Sequence, residues 1–595
     1  MNHSIFDDLR PQDSGCDSHF VCDRPHAEAT VWDIIPGIKS SMYPHQRDGF
    51  EFIWKNIAGG IYLDKLKNQT TTSGGSGCII SHAPGTGKTR LTIIFLQTYM
   101  KLHPKCRPVI VAPPNILLTW EEEFRKWKFD IPFHNLNQSK LSGKETLTEV
   151  RIAYRLKKGG YLNKYIIRWL KIYSWKQNSS ILGISYQLFG KLTDTGADTA
   201  LFRKDLLEAP GLVVLDEGHI PRNDLSRILK ALSNIKTDKR IILSGTPFQN
   251  NFDELYNTLR LVRPKFTSIR GKWESLTSPI TKGTNDRLKC ENLKKVRDMI
   301  DPFVHVHKGS ILQEKLPGLR DSLVILQPTQ LQKSLFGELQ QHITRYHLNH
   351  FKSDFLNSLI SVHPSLLLKC EEEGFPSERD KLEGLNHEVG VKTNFLLELI
   401  RLSNALNEKV LVFSQYLEPL TFVMDQLKFH FNWTEGNEVL YMDGKQEAKR
   451  RQSSINIFND TTSEARVLLA STRACNEGIS LVGASRVVLL DVVWNPSVEA
   501  QAISRAYRLG QEKVVYVYHL IAAGTNEEDK YCRQVEKDLL SELVFSSSGG
   551  SGDQPKISHL VSDDKILEEM VQHEKLKHIF EKIQQKKVTD GDFTI

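Results

Sequence analysis

The chain has 595 residues, too many for one hydrophobic core, and should hold roughly two to four domains. Hydrophobic residues make up 40% and charged residues 25%, an ordinary globular balance, and no apolar run approaches the roughly 18 residues of a membrane span. A net charge of +7 permits a polyanionic partner without demanding one.

Residues 1–30 are polar and aperiodic, with no apolar signal core, and read as a flexible tail or the cut end of a longer protein. Within them Cys16, His19, Cys22 and His26 are all zinc-ligand types, but their spacing is not that of a standard finger. The other cysteines are scattered, so reduced thiols of the nucleus or cytosol are expected.

From 31 to 264, β-rich runs precede polar turns: "CIISHAPGTGKT", "RPVIVAPPN", "ILGISY", "GLVVLDEGH" and "KRIILSGTP". That rhythm predicts an α/β lobe with a parallel sheet and helices on both faces. "SGGSG" occurs at 73–77 and 548–552 and reads as flexible linker without chemistry. "APGTGKT" lies between a strand and a helical run. Gly85 and Gly87, with Thr86 between them, let the backbone wrap a phosphate at a helix N-terminus. Lys88 supplies a charge for the β- and γ-phosphates, and Thr89 a hydroxyl for Mg²⁺. His82 stands where the full phosphate-loop pattern has glycine.

The run Leu212–Leu215 ends on Asp216 and Glu217, beside His219. Two acids at a strand tip cost desolvation unless something pairs with them. With a phosphate loop upstream, Asp216 is expected to partner Mg²⁺ through water, and Glu217 to position and deprotonate the attacking water. Ser244 and Thr246, in "LSGTPFQNN", can link that pair to the lobe interface.

Residues 265–395 look helical and charged, an insert without strand–turn units. From 396 to 545, "KVLVFSQY", "EVLYMDG", "RVLLASTRA", "RVVLLD" and "VVYVYHL" predict a second α/β lobe. There Gln501, Arg505, Arg508 and Gln511 recur at helical spacing and share a face. That face is either a solvated basic surface or an arginine pair reaching across a cleft to the γ-phosphate. The segment 151–176 carries eight basic residues, no acid and interleaved aromatics. It is either a nucleic-acid patch or a pair of amphipathic helices packing inward. Residues 546–595 read as a linker and a C-terminal brace helix spaced by Ile566, Met570, Leu576 and Ile579.

In this order, "YPHQRDGFEFIW", "SHAPGTGKTRLT", "VIVAPPNILLTWEEEFRKW", "LVVLDEGH", "LSGTPFQNN", "VLVFSQY", "LLASTRACNEGISLVGASRVVLLD" and "WNPSVEAQAISRAYRLGQ" resemble the Snf2 group of superfamily 2 helicase-like ATPases over residues 31–545. The resemblance implies two RecA-like lobes, ATP with Mg²⁺, and translocation on duplex DNA. It places Gln46 on the adenine and gives Lys88, Thr89, Asp216, Glu217, Arg505 and Arg508 the roles above. Candidate contacts to DNA phosphates are Asn115 and Thr119 in the first lobe, and Ser471, Thr472, Arg473, Trp494 and Asn495 in the second.

His305 and His307 stand where the Snf2 group commonly has two arginines, and Gly218 where alanine is usual. With "ACNEGISLVGASRVVLLDVVWNPSVEAQAISRAYRLGQ", these details resemble the plant CLASSY group. That likeness implies a nuclear role in RNA-directed DNA methylation and small-RNA silencing, bringing plant RNA polymerase IV (or V, for a sister branch) to chromatin. The group's proteins are longer at the N-terminus, so the chain reads as their ATPase part. The competing expectations are a DNA-binding scaffold that uses little ATP and a strand-separating helicase.

Overall fold

The computed structural model of the chain describes residues 28–586 apart from 69–76, 144, 147, 149, 152–163, 197–198, 246–250, 283–285, 371, 373, 378, 475–478 and 546–563. The cysteine–histidine group at 16–26, Thr246, the "SGGSG" at 548–552 and all but Gly77 of the other copy lie outside the described residues.

The first lobe holds β1 (Cys78–His82), β2 (Pro108–Val111), β3 (Phe133–Asn135), β4 (Ile181–Ile184), β5 (Leu212–Asp216), β6 (Arg240–Ser244) and β7 (Val304–His307). Their order is β3-β4-β2-β5-β6-β1-β7, with every pairing parallel. β1, β2, β5 and β6 are buried throughout, which is why they read as continuous apolar runs rather than alternating ones. Successive side chains still point to opposite faces. Ile80, Ile110, Val214 and Leu243 face a core with α1 (Pro44–Ala58), α2 (Lys88–Leu102) and α3 (Pro114–Lys126). Ile79, Val109, Val213 and Ile242 face a second core, which α4 (Lys164–Gln177), α5 (Arg270–Lys282) and α6 (Asp286–Ile300) extend.

α7 (Ser310–Lys315) joins this lobe to the second. The second sheet holds β8 (Leu319–Leu326), β9 (Val410–Ser414), β10 (Val439–Met442), β11 (Val467–Ser471), β12 (Arg486–Leu489), β13 (Val515–Ala522) and β14 (Phe580–Gln585). The order is β10-β11-β9-β12-β13-β8-β14, parallel except for β14, which runs antiparallel to β8. α8 (Gln330–Tyr346) and α9 (His350–Val362) form a hairpin around Leu335, Leu339, Leu356 and Leu359. α10 (Val391–Ala405) packs under the sheet. α11 (Pro496–Ala506) precedes β13, and α12 (Asn526–Phe545) follows it. α12 reaches back to the first lobe, where Val544 and Phe545 are buried in the core beside α5 and α6.

Ten expected strands are present, and the structure adds β3, β7, β8 and β14. Two of these correct the expectation of a strand-free insert at 265–395: β7 extends the first sheet beside β1, and β8 the second beside β13. The expected brace is α13 (Lys565–Gln572), with Ile566, Leu567 and Met570 buried against α10. It is shorter than the spacing suggested, because Leu576 and Ile579 sit in a turn that leads into β14. The described part of the basic stretch, α4, packs inward through Ile167, Leu170, Ile172 and Trp175. Its Lys171 is buried and donates to the carbonyls of Asn135 (2.7 Å) and Gln138 (3.0 Å), so its charge does not face a phosphate.

Candidate nucleotide site between the lobes

The strand β1 turns into α2 through two left-handed glycines, Gly85 (φ 82°) and Gly87 (φ 87°). Glycine takes that conformation without a Cβ penalty. A Cβ on Gly87 would also come 2.4 Å from Gln46 Nε2. Gln46, buried on α1, donates to the carbonyls of Thr86 (3.2 Å) and Gly87 (3.4 Å), and its Oε1 accepts from the Tyr43 amide (3.2 Å). Its amide therefore holds the phosphate loop against α1. Lys88 opens α2 and donates to the carbonyls of His82 (2.8 Å) and Ala83 (3.3 Å). Burial lowers its pKa, against the opposing pull of Glu217 and Asp216. Thr89 follows in the first turn of α2.

At the end of β5, Asp216 is buried. Its Oδ2 accepts from the indole of Trp120 on α3 (2.9 Å) and its Oδ1 from the Glu217 amide (3.0 Å). Tyr186 Oη donates to the Asp216 carbonyl (2.8 Å). Glu217 has a left-handed backbone (φ 50°), uncommon for a non-glycine residue, so the strand turns sharply where the acids stand together. Burial, followed by the charge of Glu217, raises the Asp216 pKa, and burial raises that of Glu217. His219 Nδ1 lies 3.4 Å from Glu217 Oε2 and 3.5 Å from Ser244 Oγ, and burial pushes its pKa down to about 3. Gly218 has a packing reason to be glycine: a Cβ there would meet Ile242 Cγ2 at 2.5 Å.

The second lobe completes the site. Gln501 donates to Glu217 Oε2 across the cleft (3.4 Å). Arg505, buried on the same helix, is close enough for its charge to act on both Lys88 and Glu217. Arg508 donates to the Ile479 carbonyl (3.0 Å), and its Cβ lies 3.2 Å from where a Cβ on Gly85 would sit. The single helical face expected for 501–511 is corrected. α11 ends at Ala506, Tyr507 leaves helical geometry, and Arg508 and Gln511 belong to the following turn. Gln511 turns inward, its amide donating to the carbonyls of Val482, Ala484 and Ala506.

Of the candidate nucleic-acid contacts, Asn115 and Thr119 sit half-buried near the start of α3. In the second lobe Thr472, Arg473, Trp494 and Asn495 line one cavity of about 520 Å³ with Phe355, Gln415 and Tyr416. Arg473 is exposed. Ser471 is not among the lining residues: it is buried, and its hydroxyl accepts from the Ala474 amide (3.2 Å). Trp494 is fastened rather than projecting. Its indole donates to Asp354 Oδ2 (2.9 Å), and Lys530 and Arg533 approach its ring within 5.2 and 5.8 Å. Trp120, Tyr186 and Asp354, which hold these groups, were not singled out in the sequence. The two aromatics look like core residues, and nothing marks the acid on α9.

Two mainly parallel sheets, a phosphate loop, an acid pair and arginines supplied by the opposite lobe define a two-lobed ATPase core. The chain belongs to the SNF2-related family: the SNF2-related domain matches residues 45–373, and the helicase conserved C-terminal domain matches 391–510. It is 49% identical over 587 residues to the SNF2 domain-containing protein CLASSY 3 of Arabidopsis thaliana, covering 94% of this chain and 42% of that protein. It is likewise 49% identical over 587 residues to CLASSY 4 of the same plant, covering 96% and 50%. The chain thus spans half or less of the length of these relatives. Among solved structures, the Sulfolobus solfataricus SWI2/SNF2 ATPase core in complex with dsDNA is 22% identical, with 84% of this chain and 93% of that chain covered and a TM-score of 0.35. Among the described residues, no helix is long and apolar enough to cross a membrane.

Proposed function

We propose that the chain is the motor part of a nuclear protein that hydrolyses ATP to move along duplex DNA in chromatin. The CLASSY likeness extends this to RNA-directed DNA methylation and small-RNA silencing, with plant RNA polymerase IV or V as the partner machinery. The observation that carries the motor reading is the meeting of Glu217 with Gln501 and Arg505 across the cleft, with Arg508 against the phosphate loop. A hydrolytic site whose parts are divided between two lobes makes turnover depend on their closure.

In this reading the loop amides and Lys88 hold the phosphates. Glu217 takes the proton of the attacking water, since both oxygens of Asp216 are engaged, and its burial suits proton uptake. Arg505 and Arg508 meet the charge that develops on the γ-phosphate. A divalent cation fits beside Asp216, where a buried carboxylate next to a second acid is short of positive charge. Thr89 and Asp216 would hold Mg²⁺, which supplies charge for the phosphate oxygens. Duplex DNA would run over Asn115 and Thr119 on one lobe and over the cavity of Thr472, Arg473 and Asn495 on the other. Such phosphate contacts give tight binding at low salt and little base preference.

The test is steady-state ATPase activity without DNA, with single strands and with duplex. The motor reading expects duplex to stimulate turnover well beyond single strands. Equal stimulation by single strands would favour strand separation, and no stimulation would favour a recruitment scaffold.

A further inference from the structure

Four imidazoles lie beneath the phosphate loop: His45 on α1, His82 at the end of β1, and His305 and His307 on β7. The His45 ring stacks on His307, with centroids 4.1 Å apart and planes 5° from parallel, and the Tyr43 ring lies within 10° of parallel to it at 6.1 Å. His82 Nε2 and His305 Nδ1 are hydrogen bonded at 2.8 Å, which braces the edge of this stack. His45 is buried, and its Nε2 lies 2.9 Å from the Thr86 carbonyl oxygen. A carbonyl only accepts, so the ring proton sits on Nε2 and the histidine donates. Burial lowers the His45 pKa, which keeps the ring neutral near pH 7.

The consequence follows from peptide geometry. The Thr86 carbonyl and the Gly87 N–H belong to one planar trans peptide and point in opposite directions. Drawing that oxygen back toward α1 therefore aims the Gly87 N–H away from α1, toward the place where the loop wraps an anion. Gly87 (φ 87°) is a glycine and so has wide backbone freedom, and the peptide plane before it gains from outside fixing. Gln46 donates to the same oxygen at the longer distance of 3.2 Å. We propose that His45 is a positioning residue for nucleotide binding: held by its stack on His307, it locks the Thr86–Gly87 peptide so that its N–H faces the phosphates. This rests on the ATPase reading above, and the residue itself touches no nucleotide.

The test uses the full chain and a fluorescent ATP analogue for affinity, alongside ATPase kinetics and thermal melting. His45→Phe keeps a ring against His307 and loses the donor. It should weaken analogue binding and raise KM for ATP by about tenfold, the order of one lost hydrogen bond. Its kcat at saturating ATP should stay within a few-fold, and its melting temperature near that of the parent. His45→Gln loses the stack but keeps an N–H at similar reach, so KM should return toward the parent value even if the melting temperature falls. A purely structural role predicts the reverse pattern, with Gln worse than Phe and KM unmoved. A parent-like KM in His45→Phe, or a KM in His45→Gln as high as in Phe, overturns the proposal. Should His45→Phe not fold, His307→Ala removes the ring that His45 leans on. A severalfold rise in KM there supports the proposal, and an unchanged KM overturns it. Absence of analogue binding by the parent chain would sink the ATPase reading itself, whereas parent binding with an indifferent His45→Phe sinks this inference alone.

Discussion

Both lobes end a central strand on a buried aspartate that accepts local hydrogen bonds, and the two differ in what stands beside the carboxylate. In the second lobe, Asp491 follows β12. It receives the Ser414 hydroxyl (2.5 Å) and the Gln415 amide (3.0 Å), with the buried Lys392 nearby. Lys392 is itself fixed by Glu527 (2.7 Å) and the Leu490 carbonyl (2.7 Å). In the first lobe, Asp216 is followed by a second acid on a left-handed backbone, and the cations that approach that pair are Lys88 and Arg505, one from each lobe. Similar strands, "LVVLD" and "RVVLLD", thus end in a site and in a fastening. The difference lies beside the carboxylate: Val492 follows Asp491, whereas Glu217 adds a second buried charge that cations from both lobes approach.

The largest test of this contrast is on the arginines. Arg505→Ala or Arg508→Ala should lower duplex-stimulated turnover by about 10³- to 10⁵-fold while nucleotide affinity stays within a few-fold. Undiminished stimulation in both variants would remove the second lobe from the chemistry. Glu217→Gln keeps the shape of the side chain and removes the base, so ATP should still bind while hydrolysis slows by about 10²- to 10⁴-fold. Loss of binding in that variant would mean that Glu217 is a structural acid, like Asp491.

The fastening side of the comparison predicts stability rather than rate. His519, on β13, lies 2.8 Å from Asp321 and 3.3 Å from Glu499, and its pKa is raised to about 9 although burial alone would lower it. A raised histidine contributes stability that is fully present below its ordinary pKa of 6.5 and lost as pH rises through 9. At roughly 1.4 kcal/mol per unit, the loss is at most about 3–4 kcal/mol. Urea midpoints of the parent should fall between pH 6.5 and 9.5 more steeply than those of His519→Gln, and parallel curves would show that the pair adds nothing. Smallest, Asp491→Ala strands the donors of Ser414 and Gln415 and should cost about 1–3 kcal/mol, read by thermal melting. The specific activity of the molecules that remain folded should be unchanged. A rate defect without a melting defect would place Asp491 in the chemistry and dissolve the contrast.

Much of the architecture was legible because buried parallel strands write continuous apolar runs, and ten of them did so. β7 was not, since four residues alternating valine and histidine are too few to show a period. β8 was not, because its first half, "LRDS", is polar where it lies toward the sheet edge. The phosphate loop and acid pair stood out through local spacing. Their supports did not: Trp120 and Tyr186 read as core aromatics, and His45, His305 and His307 come together only once β7 pairs with β1. Arg508 was singled out by a helical face that it does not share, because the helix stops two residues earlier.

The reach of α12 has a mechanical meaning. Among the described residues, the lobes are joined through residues 308–318 and again where Val544 and Phe545 of α12 enter the first lobe's core, with Arg297 donating to the Leu543 carbonyl. Two anchorages separated in space act like the two knuckles of a door hinge. They permit swinging about the line that joins them and resist sliding, twisting or parting. On the motor reading proposed above, such a joint would confine each opening and closing to an arc about that line.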